Sequence, residues 1–197
     1  MIAAVILAAG ESRRMETPKA LLTIDSETFA ECIARKVREC GLDLVYMVVG
    51  AHHEQIRKEV RGKHGLEFIL NFRYPEGQLS SLKEGLRSLP TGATEALVWP
   101  VDHPLVKRET VEILISTFQK ERKRITIPVH QGRRGHPVIY DIHAIQTLLS
   151  LKSSQTAKDL QAIFSAEISL ADVEDPAILI DIDTPDDYQK YIKDSAL

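Results

Sequence analysis

The strongest constraint on the fold is the opening run Ile2-Ala-Ala-Val-Ile-Leu-Ala-Ala9, apolar throughout and ended by Gly10. No position in it is left for water, so it reads as a strand covered on both faces, and such strands belong to parallel sheets flanked by helices. It is too short to span a membrane and badly flanked for a secretory leader. Further apolar runs at Leu44–Val49, Leu66–Leu70 and Ala96–Trp99 alternate with segments of helical period. Phe29, Ile33, Val37 and Cys40 share one face and predict a helix over residues 27–40, stopped by Gly41. Ile56 and Val60 mark a polar helix. Leu79, Leu82, Leu86 and Leu89 mark another, and Val111, Leu114, Ile115 and Phe118 a third. The alternation predicts an α/β fold around a largely parallel sheet.

After residue 124 the pattern shortens. Strands at Ile125–Val129 and Val138–Tyr140 flank the loop from His130 to Pro137. Helices are expected near 142–149 and 156–164, strands near 167–170 and 178–182, and a last helix after Thr184-Pro185. No repeat or linker interrupts the chain, so residues 1–197 read as a single domain. A net charge of −3 offers no footprint for nucleic acid. The basic tract Lys120–Arg124 reads as a helix end whose cations complement the dipole. Cys32 and Cys40 form no disulfide scaffold and no paired metal motif. With no targeting signal, a reducing, cytoplasmic location is expected, away from membranes.

Chemistry begins in the loop after the first strand. The buried strand ends in the small residues Ala8 and Ala9, so the backbone can pass close to a flat ligand such as a nucleobase. Gly10 lets the chain turn and present amide N–H groups to phosphate oxygens. Arg14 and Lys19 on the same loop supply cations for a triphosphate, and Pro18 stiffens the approach to Lys19. The spacing fits neither the G-x-G-x-x-G of dinucleotide folds nor the G-x-x-x-x-G-K-[ST] of P-loops.

Asp102 follows the fourth strand in Val101-Asp-His-Pro104, either as an Asx turn or as a carboxylate turned into a cleft. Thr184, Pro185, Asp186 and Asp187 are accounted for by helix initiation. Asp181 and Asp183 are not, and on a strand both would share one face. With Asp102, such carboxylates repel unless a cation lies between them, and oxygen ligands beside a triphosphate call for Mg²⁺. His52, His53 and His103 lack partners at metal-ligand spacing.

Residues 7–22 as a string resemble the signature of the molybdenum-cofactor-type nucleotidyltransferases, approximately L-A-[AG]-G-x-S-x-R-M-G-x-P-K-x-L-L. The one departure that matters is Glu16, where a Gly is usual; if that position needs a positive φ, Glu16 is strained. Asn71 with Glu76-Gly-Gln-Leu-Ser-Ser-Leu82 resembles the second nucleotide-contacting segment, and Val101–Pro104 the metal-binding turn. Arg134-Gly-His-Pro137 resembles the acceptor loop, and Asp181–Asp187 the C-terminal acidic motif.

The resemblance implies a Rossmann-like three-layer sandwich with a mostly parallel, mixed central sheet, of the nucleotide-diphospho-sugar transferase type. It implies nucleotide binding by Leu7, Ala8, Ala9, Gly10, Arg14, Lys19, Gly77, Ser80 and Ser81, with Arg14, Lys19 and Asp102 catalytic. Ser81 alternatively opens a capping box with Glu84. Metal falls to Asp102 and Asp183, and acceptor binding to Arg134, Gly135, His136 and Pro137. Ala8-Ala9 and the Gly-His-Pro loop resemble cytidylyltransferases, which implies CTP and a molybdopterin-type phosphorylated acceptor. The alternatives are a GTP- or sugar-phosphate-specific transferase, or a cofactor carrier in transient contact with a molybdoenzyme or its chaperone.

Overall fold

A computed structural model describes residues 1–60 and 63–194. The opening run forms β1 (Ile2–Ala8), with Ala3 to Ala9 all buried. A small antiparallel pair, β2 (Thr23–Ile24) and β3 (Glu27–Thr28), leads into helix α1 (Phe29–Glu39). Then come β4 (Val45–Val49), α2 (His53–Val60), β5 (Leu66–Leu70), α3 (Gln78–Arg87), β6 (Glu95–Pro100) and α4 (Arg108–Glu121). The last third holds β7 (Ile125–His130), β8 (Arg133–Arg134), β9 (Val138–Tyr140), α5 (Ile142–Ser150), α6 (Ala157–Ile163), β10 (Ile168–Asp172) and α7 (Pro185–Tyr188).

Among the described residues the main sheet runs β10-β7-β9-β6-β1-β4-β5, with β8 paired to β7. The pairs β1–β4, β4–β5, β1–β6 and β7–β10 are parallel, while β9 is antiparallel to β6 and β7. β1 therefore lies inside the sheet, which is why its sequence carries no polar position. Its alternate side chains feed two cores. Ala4, Ile6 and Ala8 join Phe29, Ile33 and Val37 of α1 with Val111, Leu114 and Phe118 of α4. Val5, Leu7 and Ala9 join Leu82 and Leu86 of α3 with Ala144, Ile145 and Leu148 of α5. The fold is the expected α/β sandwich of three layers.

Local differences from the sequence reading have local causes. Helix α1 starts at Phe29 because the Thr28 hydroxyl accepts from Glu31 N–H at 3.2 Å while Glu31 accepts from Thr28 N–H at 2.9 Å. The capping box expected at Ser81 is absent: α3 begins at Gln78 behind Gly77, so Ser81 is already inside the helix. The strand expected at 178–182 is not formed. Pro176–Leu179 is a 3₁₀ turn, started by the Asp175 carboxylate accepting from Ala177 N–H at 3.1 Å. Asp181 and Asp183 therefore do not share the face of a strand; Asp181 is exposed and Asp183 half-buried. Among the described residues no helix is long and apolar enough to cross a membrane.

Candidate active site

From β1 the sheet grows through β4 and β5 to one side and through β6 to the other. Chain leaving the ends of β1 and β6 therefore diverges, opening a crevice at the carboxyl ends of the strands. The register sets Leu7 beside Pro100, and Val101 N–H donates to the Leu7 carbonyl at 3.1 Å. Asp102 thus emerges next to the Ala9-Gly10 loop. Ile182 N–H donates to the Asp102 carbonyl at 2.8 Å, which delivers Asp183 to the same place. The result is a cleft of about 550 Å³ lined by Leu7, Ala8, Ala9, Gly10, Arg14, Lys19, Gly77, Ser81, Asp102 and Asp183.

The loop over this cleft is organised by Ser12. Its backbone takes φ 50°, its carbonyl accepts from Met15 N–H at 2.7 Å, and its hydroxyl accepts from Lys19 N–H at 3.1 Å. A short polar side chain tolerates that left-handed conformation through such local bonds. Glu16 is not among the positive-φ residues and is exposed, so replacing the usual Gly strains nothing there.

Lys19 is the electrostatic hub. Its ammonium donates to Asp102 Oδ2 at 3.2 Å and to Asp183 Oδ1, while Arg14 Nη2 donates to Asp183 Oδ2. Burial pushes the Asp183 carboxyl upward, but the hydrogen bond and charge of Lys19, then those of Arg14, leave it below its usual value. Asp102 Oδ1 is buried and accepts no hydrogen bond; the nearest imidazole nitrogen, His103 Nε2, is 3.9 Å away. A hard cation suits that oxygen. Among the described residues no group of three His, Cys, Asp or Glu forms a complete cage, so a metal here would take its remaining ligands from phosphate and water, as Mg²⁺ does.

The turn bearing Asp102 is built from within. Buried Trp99 donates its indole N–H to the His103 carbonyl at 3.0 Å, and His103 N–H donates to the Pro100 carbonyl at 3.2 Å.

Two groups expected at the site lie elsewhere. Ser80 faces away from the cleft; its hydroxyl donates toward the Arg73 and Gly77 carbonyls at 2.8 and 2.9 Å, which ties down the loop before α3. Arg134, Gly135, His136 and Pro137 also lie outside the cleft lining. Arg134 is exposed and bonds Gln161 at 3.3 Å. His136 N–H donates to the Ile178 carbonyl at 3.0 Å, and a Cβ at Gly135 would lie 2.3 Å from that oxygen. The His136 ring centroid is 4.9 Å from that of His103, behind the Asp102 turn. Burial, then the His103 charge, pushes the His136 imidazole down to about 4, so it is neutral near pH 7 and no counter-ion for an anionic acceptor.

The cleft also holds Gln78, from the second segment, and two residues the sequence reading passed over, Tyr74 and Pro75. The available signal was Gly50, directly after β4. A Cβ there would meet Tyr74 at 2.7 Å and the Ala9 carbonyl at 2.8 Å, so only glycine lets Tyr74 lie against the loop.

Bifunctional protein GlmU of Synechococcus is 30% identical over 129 residues, 64% of this chain, and the chain spans only 28% of that relative's length. The molybdenum cofactor cytidylyltransferase of Escherichia coli is 23% identical over 185 residues, 93% of this chain and 92% of its own. Rv0371c of Mycobacterium tuberculosis superposes with a TM-score of 0.85 at 24% identity, over 98% of this chain and 97% of that one. The same mycobacterial protein has been solved in complex with manganese, with a TM-score of 0.81 at 22% identity over 98% of each chain. The profile of the MobA-like NTP transferase domain matches residues 4–171, most of the chain. With the profile matching across most of its length, the chain belongs to the MobA-like NTP transferase family.

Proposed function

We propose that this nucleotidyltransferase moves CMP from CTP onto the phosphate of a molybdopterin cofactor and releases pyrophosphate. The observation that carries the reading is the convergence of Arg14, Lys19, Asp102 and Asp183 on one cleft. The E. coli cytidylyltransferase, similar along nearly the whole of both chains, supports the choice of nucleotide and acceptor.

An oxygen of the acceptor phosphate attacks the α-phosphorus. The bond from that phosphorus to the oxygen bridging to the β-phosphate breaks, and pyrophosphate leaves with the electron pair. A phosphate monoester is already largely ionised at neutral pH, so the site needs alignment and charge neutralisation rather than a general base. Ala8, Ala9 and Gly10 let base and phosphates approach the backbone, with Gly77 and Ser81 on the facing wall. Arg14 and Lys19 exchange Asp183 for the triphosphate and stabilise the departing pyrophosphate. Asp102 and Asp183 would hold Mg²⁺, which supplies Lewis-acid polarisation at the α-phosphate. The manganese complex of Rv0371c supports a divalent ion in this fold. At the acceptor loop, exposed Arg134 would exchange Gln161 for a phosphate, while Gly135 and His136 pack against Ile178 in the segment that leads to Asp183.

The match to GlmU, higher in identity though shorter, favours a second reading in which another nucleotide or phosphorylated acceptor is used. Purified protein with Mg²⁺ should release pyrophosphate from CTP when molybdopterin is present. GTP, ATP or a sugar phosphate in place of the matching partner should give none. Release with a sugar phosphate and none with the pterin would overturn the assignment.

A further inference from the structure

A second cavity, of about 240 Å³, lies outside the cleft, and its lining includes the cations Arg73, Lys83 and Arg87, the carboxylates Glu76 and Glu84, and Ser80 and Ser153. Three cations against two carboxylates thus leave a net positive charge around a space large enough for a phosphate with a small organic group. Arg73 is held by Glu76 through two bonds of 2.8 Å, whereas Arg87 comes only to 4.0 Å from Glu84. Lys83 donates to the Leu151 carbonyl rather than to a carboxylate. Burial, followed by the charges of Arg87 and Arg73, holds the Lys83 ammonium below its ordinary value. An anion among these groups would relieve their mutual repulsion, and guanidinium forks with a nearby hydroxyl suit phosphate oxygens.

One residue joins this cavity to the nucleotide cleft. Asn71 is 2% exposed; its Oδ1 accepts from Arg73 N–H at 2.9 Å, and its Nδ2 donates to Ser80 at 3.1 Å and to Ser81 at 3.0 Å. Arg73 and Ser80 line the second cavity, while Ser81 lines the cleft. The residues between them alternate in the same way, with Tyr74, Pro75, Gly77 and Gln78 turned to the cleft and Glu76 and Leu79 to the cavity. A pull on Arg73 is therefore transmitted through one buried amide to the wall that faces the nucleotide.

We propose that the cavity of Arg73, Lys83, Arg87 and Ser153 is a second, phosphate-binding site that tunes the nucleotide cleft through Asn71. Its existence is independent of the proposed substrates; only its effect on turnover rests on that reading.

The binding test uses Lys19→Met protein, in which phosphate is weakened at the cleft, titrated by calorimetry with inorganic phosphate and with ribose 5-phosphate. One saturable site is expected. Adding Arg87→Gln or Lys83→Gln should weaken it about tenfold, the cost of one charged hydrogen bond. Tighter binding of the sugar phosphate would assign an organic ester, and tighter binding of the free ion would assign orthophosphate; either supports the site. No saturable binding, or binding indifferent to both substitutions in proteins with an unchanged urea midpoint, overturns it. The coupling is read separately, in protein with Lys19 intact. Phosphate should shift the nucleotide KM differently in the wild-type chain and in Arg87→Gln, and identical shifts would overturn the link through Asn71.

Discussion

Lys19 bonds two carboxylates from distant parts of the chain, and it is the group whose loss should cost most without unfolding the protein. Lys19→Met is expected to lower kcat about a hundredfold, the scale of one lost transition-state donor, with little change in far-UV dichroism. Single-turnover assays with saturating nucleotide would check it. Asp102→Asn should be similarly damaging, because Asp102 Oδ1 takes no hydrogen bond that an amide could replace. Loss of turnover with an unchanged urea midpoint is the expected pair of results. The buried imidazoles make a different prediction. His103 and His136 both titrate below the ordinary 6.5, chiefly through burial, His136 near about 4. As pH falls, the unfolded chain takes up these protons before the folded one. Stability should therefore be intact above pH 6.5 and decline toward pH 4. Urea midpoints in metal-free buffer would show the slope, and His136→Gln should flatten it.

At the level of elements, Gly135 links the β8 loop to the 3₁₀ turn at Pro176–Leu179. Gly135→Ala places a Cβ 2.3 Å from a backbone oxygen, so overpacking should cost about 1–3 kcal/mol in denaturant unfolding. Elements with a strong period were readable from sequence. β1, β4, β6 and the helices facing the sheet each repeat an apolar pattern that burial on one or two faces demands. The segment 176–183 was not readable, because Pro176 and the Asp175 cap override the alternation of Ile178, Ile180 and Ile182. The first loop was legible because Gly10, Arg14 and Lys19 sit close in sequence and serve one cleft. The expectation of Gly135 and His136 as acceptor groups came from the local string alone, whereas their surroundings in the fold are set by Ile178, far along the chain. Tyr74 escaped notice because its residue type does not announce a ligand; only the close packing at Gly50 does.

Across the whole molecule, the cleft draws on chain leaving β1, on the approach to α3, on the turn after β6 and on the segment before α7. A nucleotide binding there bridges segments that are separate in the unfolded chain. CTP with Mg²⁺ at a hundred times its dissociation constant should therefore stabilise the fold by about 2.7 kcal/mol, seen as a raised Tm. Chelation with EDTA should abolish turnover and most of that rise, and added Mg²⁺ or Mn²⁺ should restore both. The position of Asp183 has a consequence for synthesis. Among the described residues the last strand ends at Asp172, and a chain synthesised to that point offers Lys19 only Asp102. The second acid arrives eleven residues later, on a stretch that adds no strand of its own. The same tail brings Val173, Ile178, Ile182 and Ile192 into the core, so closing the hydrophobic interior and delivering the second acid to Lys19 are a single late event.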